Sequence, residues 1–313
     1  KLKKNIISNS KISNNSLNDF LSTGLNYLPK IISREKPNLI IAQGDTSSTY
    51  LAALSALLKG VKFAHVEAGL RTFNKYNPFP EESFRQMISR ISDYNFCPTK
   101  TNYKNLLKEG VKESKIFITG NTIIDCLKYF YKKDKNKKKN TLIKFSVLIT
   151  LHRRENFINF SDTLITNLSK LIIKYKEINF TLVEHANPLV KKTFSKLKKR
   201  KIPNLECISP KDYHDFICYL GTKDIVISDS GGIQEECLTL KKPLIVYREN
   251  TERVEGLIYN SVILSPPSKS RLINDFNKIL KGIKNKSLKF PVKNPYGDGK
   301  SSMKIFRIIK NLI

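Results

Sequence analysis

The stretch Ser228 to Glu236 reads S-D-S-G-G-I-Q-E-E, a set of residue types suited to anion binding at a helix start. Ahead of it, Asp224-Ile225-Val226-Ile227 has the β-branched character of a buried strand, and Ile233 to Leu240 reads as a helix. Ser230, Gly231 and Gly232 therefore sit where a strand turns into a helix. Free backbone N–H groups and the positive end of the helix dipole converge at such a point. Two glycines let a ligand approach the backbone closely. That combination holds phosphate. Glu235 and Glu236 follow one turn later; a carboxylate there cannot hold phosphate, but it accepts hydrogen bonds from sugar hydroxyls. An ordinary strand-to-helix loop also uses glycines, so the triplet alone leaves both readings open.

Other strand ends carry chemistry-bearing residues. After Gln43 comes Gly44-Asp45-Thr46, and after Val66 comes Glu67-Ala68-Gly69-Leu70-Arg71. Pro78-Phe79-Pro80-Glu81-Glu82 makes a proline-stiffened loop that leads into a helix at Ser83. Leu151 is followed by His152-Arg153-Arg154-Glu155-Asn156, and Glu184 by His185-Ala186-Asn187-Pro188. Asp45 and Thr46 are also the types that cap a helix, and Glu81 or Glu82 would suit a first helical turn. Glu67 has small or apolar neighbours and no clear helix start. The set is asymmetric: Asp45, Glu67 and Glu81 on one side, histidine, arginine and a phosphate loop on the other. It suggests acid–base chemistry on one wall and a nucleoside diphosphate on the other.

These positions need a frame. Asn38–Gln43, Lys62–Val66 and Ile116–Thr119 are strand candidates, with helices at Ser47–Lys59 and Thr101–Glu109. The run Tyr131 to Asn140 is basic and poor in apolar residues, which reads as a linker. The alternation then resumes with strands at Val147–Leu151, Phe180–Glu184, Ile225–Ser228 and Pro243–Tyr247. Strands separated by helices give βαβ units and parallel sheets. The expected architecture is α/β, with two doubly wound Rossmann-like domains: residues 1–135, residues 136–300, and a helix at 301–313 packing back toward the first. Ligands of such sheets bind at the carboxyl ends of the strands, so a cleft between the domains is the expected site.

Composition narrows the function classes. The 313 residues suffice for two domains, and no apolar run approaches a membrane span or a signal peptide. The formal net charge of +29 does not come from a clustered basic and aromatic face. Lysine is spread over nearly every helix, so neither nucleic acid nor a membrane is an expected partner. The rarer arginines 71, 85, 153, 154 and 253 all fall in motif-like stretches. Five cysteines lack metal-ligand spacing and point to reduced thiols in a cytoplasm, and no metal or cofactor is expected.

Seven motifs in order carry a family resemblance. They are Gln43-Gly44-Asp45-Thr46, His65 to Thr72, Pro80-Glu81-Glu82 with Arg85, His152 to Asn156, Ser228 to Glu236, Thr251-Glu252-Arg253, and Asn294 to Lys300. Together they resemble the non-hydrolysing UDP-N-acetylglucosamine 2-epimerases over nearly the whole chain. The resemblance implies a glycosyltransferase-B type fold and reversible conversion of UDP-GlcNAc to UDP-ManNAc for surface polysaccharide synthesis. The implied route eliminates UDP to give 2-acetamidoglucal, then re-adds it after C2 is reprotonated on the other face. Carried over, Asp45, Glu67 and Glu81 become acid–base residues and His152 a catalytic or UDP-contacting one. Ser230, Gly231 and Gly232 hold phosphate, Glu236 the ribose and Arg253 the diphosphate, with His185 near the nucleotide. The resemblance also implies a homodimer and a second, regulatory UDP-GlcNAc.

The chain departs from the family pattern in places. Its start corresponds to a point after the family's first strand and G-T-R-P-E loop, so the 313 residues alone are expected to be unstable or nearly inactive. Val254 stands where the family usually has proline, and His185-Ala186-Asn187-Pro188 varies a family stretch. An epimerase of a more decorated UDP-sugar fits the same motifs. A glycosyltransferase of this fold has less need of three strand-end carboxylates.

Overall fold

The computed structural model describes residues 16–131 and 145–312. All of the basic linker except Tyr131 lies outside the described residues. The chain divides into two compact units, one running to Thr119 and resuming at Ile305, the other spanning Gly120–Lys304.

The first unit opens with α1 (Leu17–Glu35) and continues with β1 (Leu39–Gln43), α2 (Ser47–Leu58), β2 (Lys62–Val66) and α3 (Glu81–Ile91). It then runs through β3 (Tyr94–Cys97), α4 (Lys100–Lys108) and β4 (Ile116–Ile118). The strands form one parallel sheet in the order β1-β2-β3-β4. Alternation along β2 sends Phe63 to one face, against Ala53 and Ala56 of α2 and Phe84 and Ile88 of α3. It sends Ala64 and Val66 to the other, with Phe96 and Ile305. In β1 and β2, Gln43 and Val66 are register partners, so the segments Gly44-Asp45 and Glu67-Ala68 leave the sheet side by side.

The second unit contains α5 (Thr122–Phe130), β5 (Ser146–Thr150), α6 (Arg154–Asn159), α7 (Ser161–Lys174), β6 (Asn179–Val183) and α8 (Pro188–Lys198). It continues with β7 (Leu205–Ile208), α9 (Tyr213–Thr222), β8 (Ile225–Ser228), α10 (Gly231–Leu240), β9 (Leu244–Val246), β10 (Val262–Leu264) and α11 (Leu272–Lys284). The last helix, α12 (Ser301–Leu312), begins here and ends in the first unit. The parallel sheet has the order β10-β9-β8-β5-β6-β7. Val147 and Ile149 of β5 enter one core and Leu148 the other, which explains the unbroken apolar runs: the sheet is covered on both faces. From β5 the chain winds outward through β6 and β7, then returns to build β8, β9 and β10 on the opposite side. The winding direction therefore reverses between β5 and β8, the place where open α/β sheets bind ligands.

Several boundaries differ from the sequence reading. The division falls at Thr119–Gly120, earlier than residue 135, because Ile124 of α5 packs with Val226 and Leu244 in the second unit's core. Helix α10 starts at Gly231 rather than Ile233, and α3 at Glu81 rather than Ser83. Strands β3, β7 and β10 are additions; polar Asn95 and Glu206 break the apolar runs of the first two. No helix among the described residues is long and apolar enough to cross a membrane.

Candidate active site

In the first unit Asp45 and Glu67 lie just past the ends of β1 and β2. Gly44 turns with φ +85, and its N–H donates to Val66 O at 3.1 Å. Thr46, not Asp45, caps α2 by accepting from Thr49 N. Asp45 instead accepts from Arg85 Nε at 2.8 Å. Arg85 lies in α3, buried, and its Nη1 donates to Glu82 Oε2 at 3.1 Å. Glu82, fully buried, accepts from the backbone N–H groups of Thr72 and Phe73 at 3.0 and 3.2 Å. One arginine thus ties the Asp45 loop to the loop that precedes α3. Glu67 has φ 68, costly for a residue with a Cβ, and accepts from Gln43 Nε2 at 3.3 Å. Glu81 is the first residue of α3 and half-buried, so it enjoys the helix dipole whatever its chemistry. Arg71, a motif arginine, is bound to Glu109 at 2.7 Å and to Ser89; its role is to fasten α4 to α3.

In the second unit, Thr150 and Ser228 are register partners, so the loops after β5 and β8 also emerge together. Asp229 stitches them. Its buried carboxylate accepts from His152 N at 3.0 Å, Arg153 N at 2.9 Å and Asn156 Nδ2 at 2.9 Å. His152 Nδ1 lies 3.6 Å from the same group. Burial pushes the His152 imidazole below its ordinary pKa, and the Asp229 charge partly opposes this. His185, exposed, stacks on His152 with ring centroids 5.4 Å apart. Asp229 was given no role in the sequence reading, although it lies inside the S-D-S-G-G motif next to the candidate Ser230. A buried carboxylate folded back onto a neighbouring strand's loop leaves no mark in spacing.

Ser230 precedes α10, and its hydroxyl makes no cap hydrogen bond to the helix. A Cβ at Gly231 would lie 2.4 Å from Arg253 Nη1, so the glycine is what lets the guanidinium lie against the start of α10. Gly232 is less crowded, with Ile123 3.8 Å from a notional Cβ. Arg253 is buried and engaged: its Nε donates to Glu235 Oε1 at 2.7 Å and its Nη1 pairs with Glu252. Asn121 also donates to Glu235 Oε1, at 3.0 Å. Glu236 accepts from Tyr213 Oη at 2.8 Å. Burial raises the Glu236 carboxyl to about 7, with the tyrosine bond working the other way.

Geometry and comparison now meet. A family-wide sequence model described as UDP-N-acetylglucosamine 2-epimerase matches residues 2–310. The UDP-N-acetylglucosamine 2-epimerase of Campylobacter jejuni is 37% identical over 311 residues, covering 95% of this chain and 81% of that protein. The chain belongs to the UDP-N-acetylglucosamine 2-epimerase family. Among solved structures, the Neisseria meningitidis UDP-GlcNAc 2-epimerase bound to UDP-GlcNAc superposes with a TM-score of 0.88 at 32% identity, over 98% of this chain and 84% of that one. The Methanocaldococcus jannaschii UDP-GlcNAc 2-epimerase in complex with UDP-GlcNAc and UDP gives 0.84 at 32% identity, over 96% and 83%. The α/β fold with two parallel sheets is the one the family resemblance implied.

Proposed function

We propose that this member of the epimerase family interconverts UDP-GlcNAc and UDP-ManNAc at C2. The observation that carries the reading is the pairing of Asp45 and Glu67 at the ends of adjacent strands, with Glu67 held in a strained backbone conformation. Strain of this kind persists where the surroundings enforce it, commonly at functional sites. The C2 proton is weakly acidic, so its removal needs a positioned base, and its return to the opposite face needs a second acid. Asp45, Glu67 and Glu81 supply these roles. In the forward step a carboxylate takes the C2 proton, the C1–O bond to UDP breaks, and a C1=C2 double bond forms in 2-acetamidoglucal. In the return step a carboxylic acid gives a proton to the other face of C2, and the UDP oxygen re-forms its bond to C1. UDP departs as an anion. The N–H groups at the start of α10, the Ser230 hydroxyl and His152 stabilise that charge, and Glu236 accepts from the ribose. Arg253, packed against Gly231 at the start of α10, places its positive charge toward the diphosphate. His185 supports His152 by stacking.

Five unpaired cysteines among the described residues fit a cytoplasmic setting. A homodimer and a second UDP-GlcNAc site rest on the family resemblance. Incubating the full-length protein with UDP-GlcNAc and separating the products tests the reading. Appearance of UDP-ManNAc, with return from UDP-ManNAc to the same ratio, is expected. A product other than UDP-ManNAc, or turnover only with a more decorated UDP-sugar, would overturn it.

A further inference from the structure

Three buried polar atoms in the first unit's sheet have no hydrogen-bond partner among the described residues: His65 Nδ1 and both amide atoms of Asn95. They belong to neighbouring strands, because His65 of β2 and Asn95 of β3 are register partners. Register partners in a parallel pair project to the same face. For these two it is the face on which Phe63 packs against α2 and α3, since His65 lies two residues on from Phe63. Both are sealed from solvent, at 1% and 0% exposure. The other ring nitrogen, His65 Nε2, lies 2.8 Å from the Gly44 carbonyl oxygen. A carbonyl only accepts, so Nε2 carries the hydrogen and Nδ1 presents a lone pair. Gly44 is therefore pinned by β2 at both ends, its N–H on Val66 O and its C=O on His65. Asp45 is the next residue.

We propose that His65 and Asn95 act as a buried positioning pair for Asp45. The Asn95 amide donates to His65 Nδ1 across one bridging water, and this reinforces the Nε2–H tautomer that the Gly44 carbonyl selects. That hydrogen holds the Gly44 carbonyl, and with it the placement of Asp45 beside Glu67 and against Arg85. Neither residue touches the substrate. An apolar pair would fill the same space without leaving polar atoms in the core, so burying them makes sense only if their hydrogen bonds are used. The proposal rests on Asp45 being one of the acid–base carboxylates.

The test uses the full-length protein and two variants of His65. His65→Gln places an amide N–H where Nε2–H was; His65→Met fills the space without a donor. The pair predicts that His65→Met lowers kcat on the order of 10- to 100-fold with KM nearly unchanged, since about 1 Å of misplacement costs that much. His65→Gln should stay close to wild type. With only four histidines in the chain, 15N imidazole spectra of the wild type give an independent readout. His65 should show a single Nε2–H tautomer, and Asn95→Leu should let the other appear. Equal losses in the Met and Gln variants, or a wild-type Nδ1–H tautomer, would overturn the pair. A wild type that puts no deuterium into C2 of the sugar would fail the proposed function instead, a distinct outcome.

Discussion

At the scale of single residues, substitutions at Glu67 and Arg253 test whether the proposed chemistry and the scaffold are separable. Glu67→Gln keeps the shape and the Gln43 contact but removes a proton acceptor. It should lower kcat by about 10²–10⁴ while UDP affinity stays near wild type, measured by steady-state kinetics and calorimetry. Arg253→Ala is expected to act differently. It takes the cation from Glu235 in a dry environment, while Glu252 keeps Arg248 at 2.9 Å. Removing one partner of a buried pair costs roughly 3–5 kcal/mol, so the variant should melt well below wild type as well as bind UDP poorly. A variant that loses UDP affinity at unchanged melting temperature would contradict the scaffold role. The acidic candidates were legible from residue type at strand ends: Asp45, Glu67 and Glu81 needed only the positions of two strands and a proline-rich loop. Their partners were not. Arg71 finds Glu109 across 38 positions and Arg85 finds Asp45 across 40, separations that no local spacing encodes.

At the scale of elements, the β5–β8 crevice depends on backbone as much as on side chains. Gly231→Ala would put a methyl into the Arg253 guanidinium and shift the first turn of α10. UDP affinity should fall at least tenfold, read by calorimetry, whereas Gly232→Ala, whose methyl would meet Ile123 at an ordinary 3.8 Å, should be mild. Asp229→Asn tests the stitch between the two loops. An amide keeps one oxygen and turns the other into an NH2 donor, so at least one of the three donors then faces a donor. Both UDP affinity and turnover should drop, and unchanged values of both would show that the stitch is decorative. The apolar strands and the glycine turn of this crevice were readable in the sequence because burial on both faces forces unbroken apolar runs. Strands β3 and β7 were not, since Asn95 and Glu206 interrupt their apolar runs and neighbouring strands supply their stability. His65 and Asn95 are the sharper case: they interrupt apolar runs, and only register shows that the two interruptions are adjacent.

At the scale of the whole molecule, the two units pull stability in opposite directions as pH changes. His65 is held down to about 4 by burial, so its folded pKa lies below the unfolded 6.5. The unfolded chain then binds more protons between those values, and stability falls as pH drops from 6.5 toward 4. Glu236 is raised to about 7 from 4.5. Here the folded chain holds the extra proton, so its burial costs most above 7 and nothing below 4.5. Glu236→Gln should therefore gain stability relative to wild type on the alkaline side and lose that advantage on the acid side, in melting curves across pH. A constant difference would remove the buried carboxyl from the account.

The central claim is that the sugar loses and regains its C2 proton while UDP leaves and returns. Proton NMR of UDP-GlcNAc with the full-length protein in deuterated water addresses it directly. The account predicts that deuterium enters C2 as UDP-ManNAc forms, and that Glu67→Gln slows this exchange far more than it weakens UDP binding. Formation of UDP-ManNAc with C2 still fully protonated would contradict it.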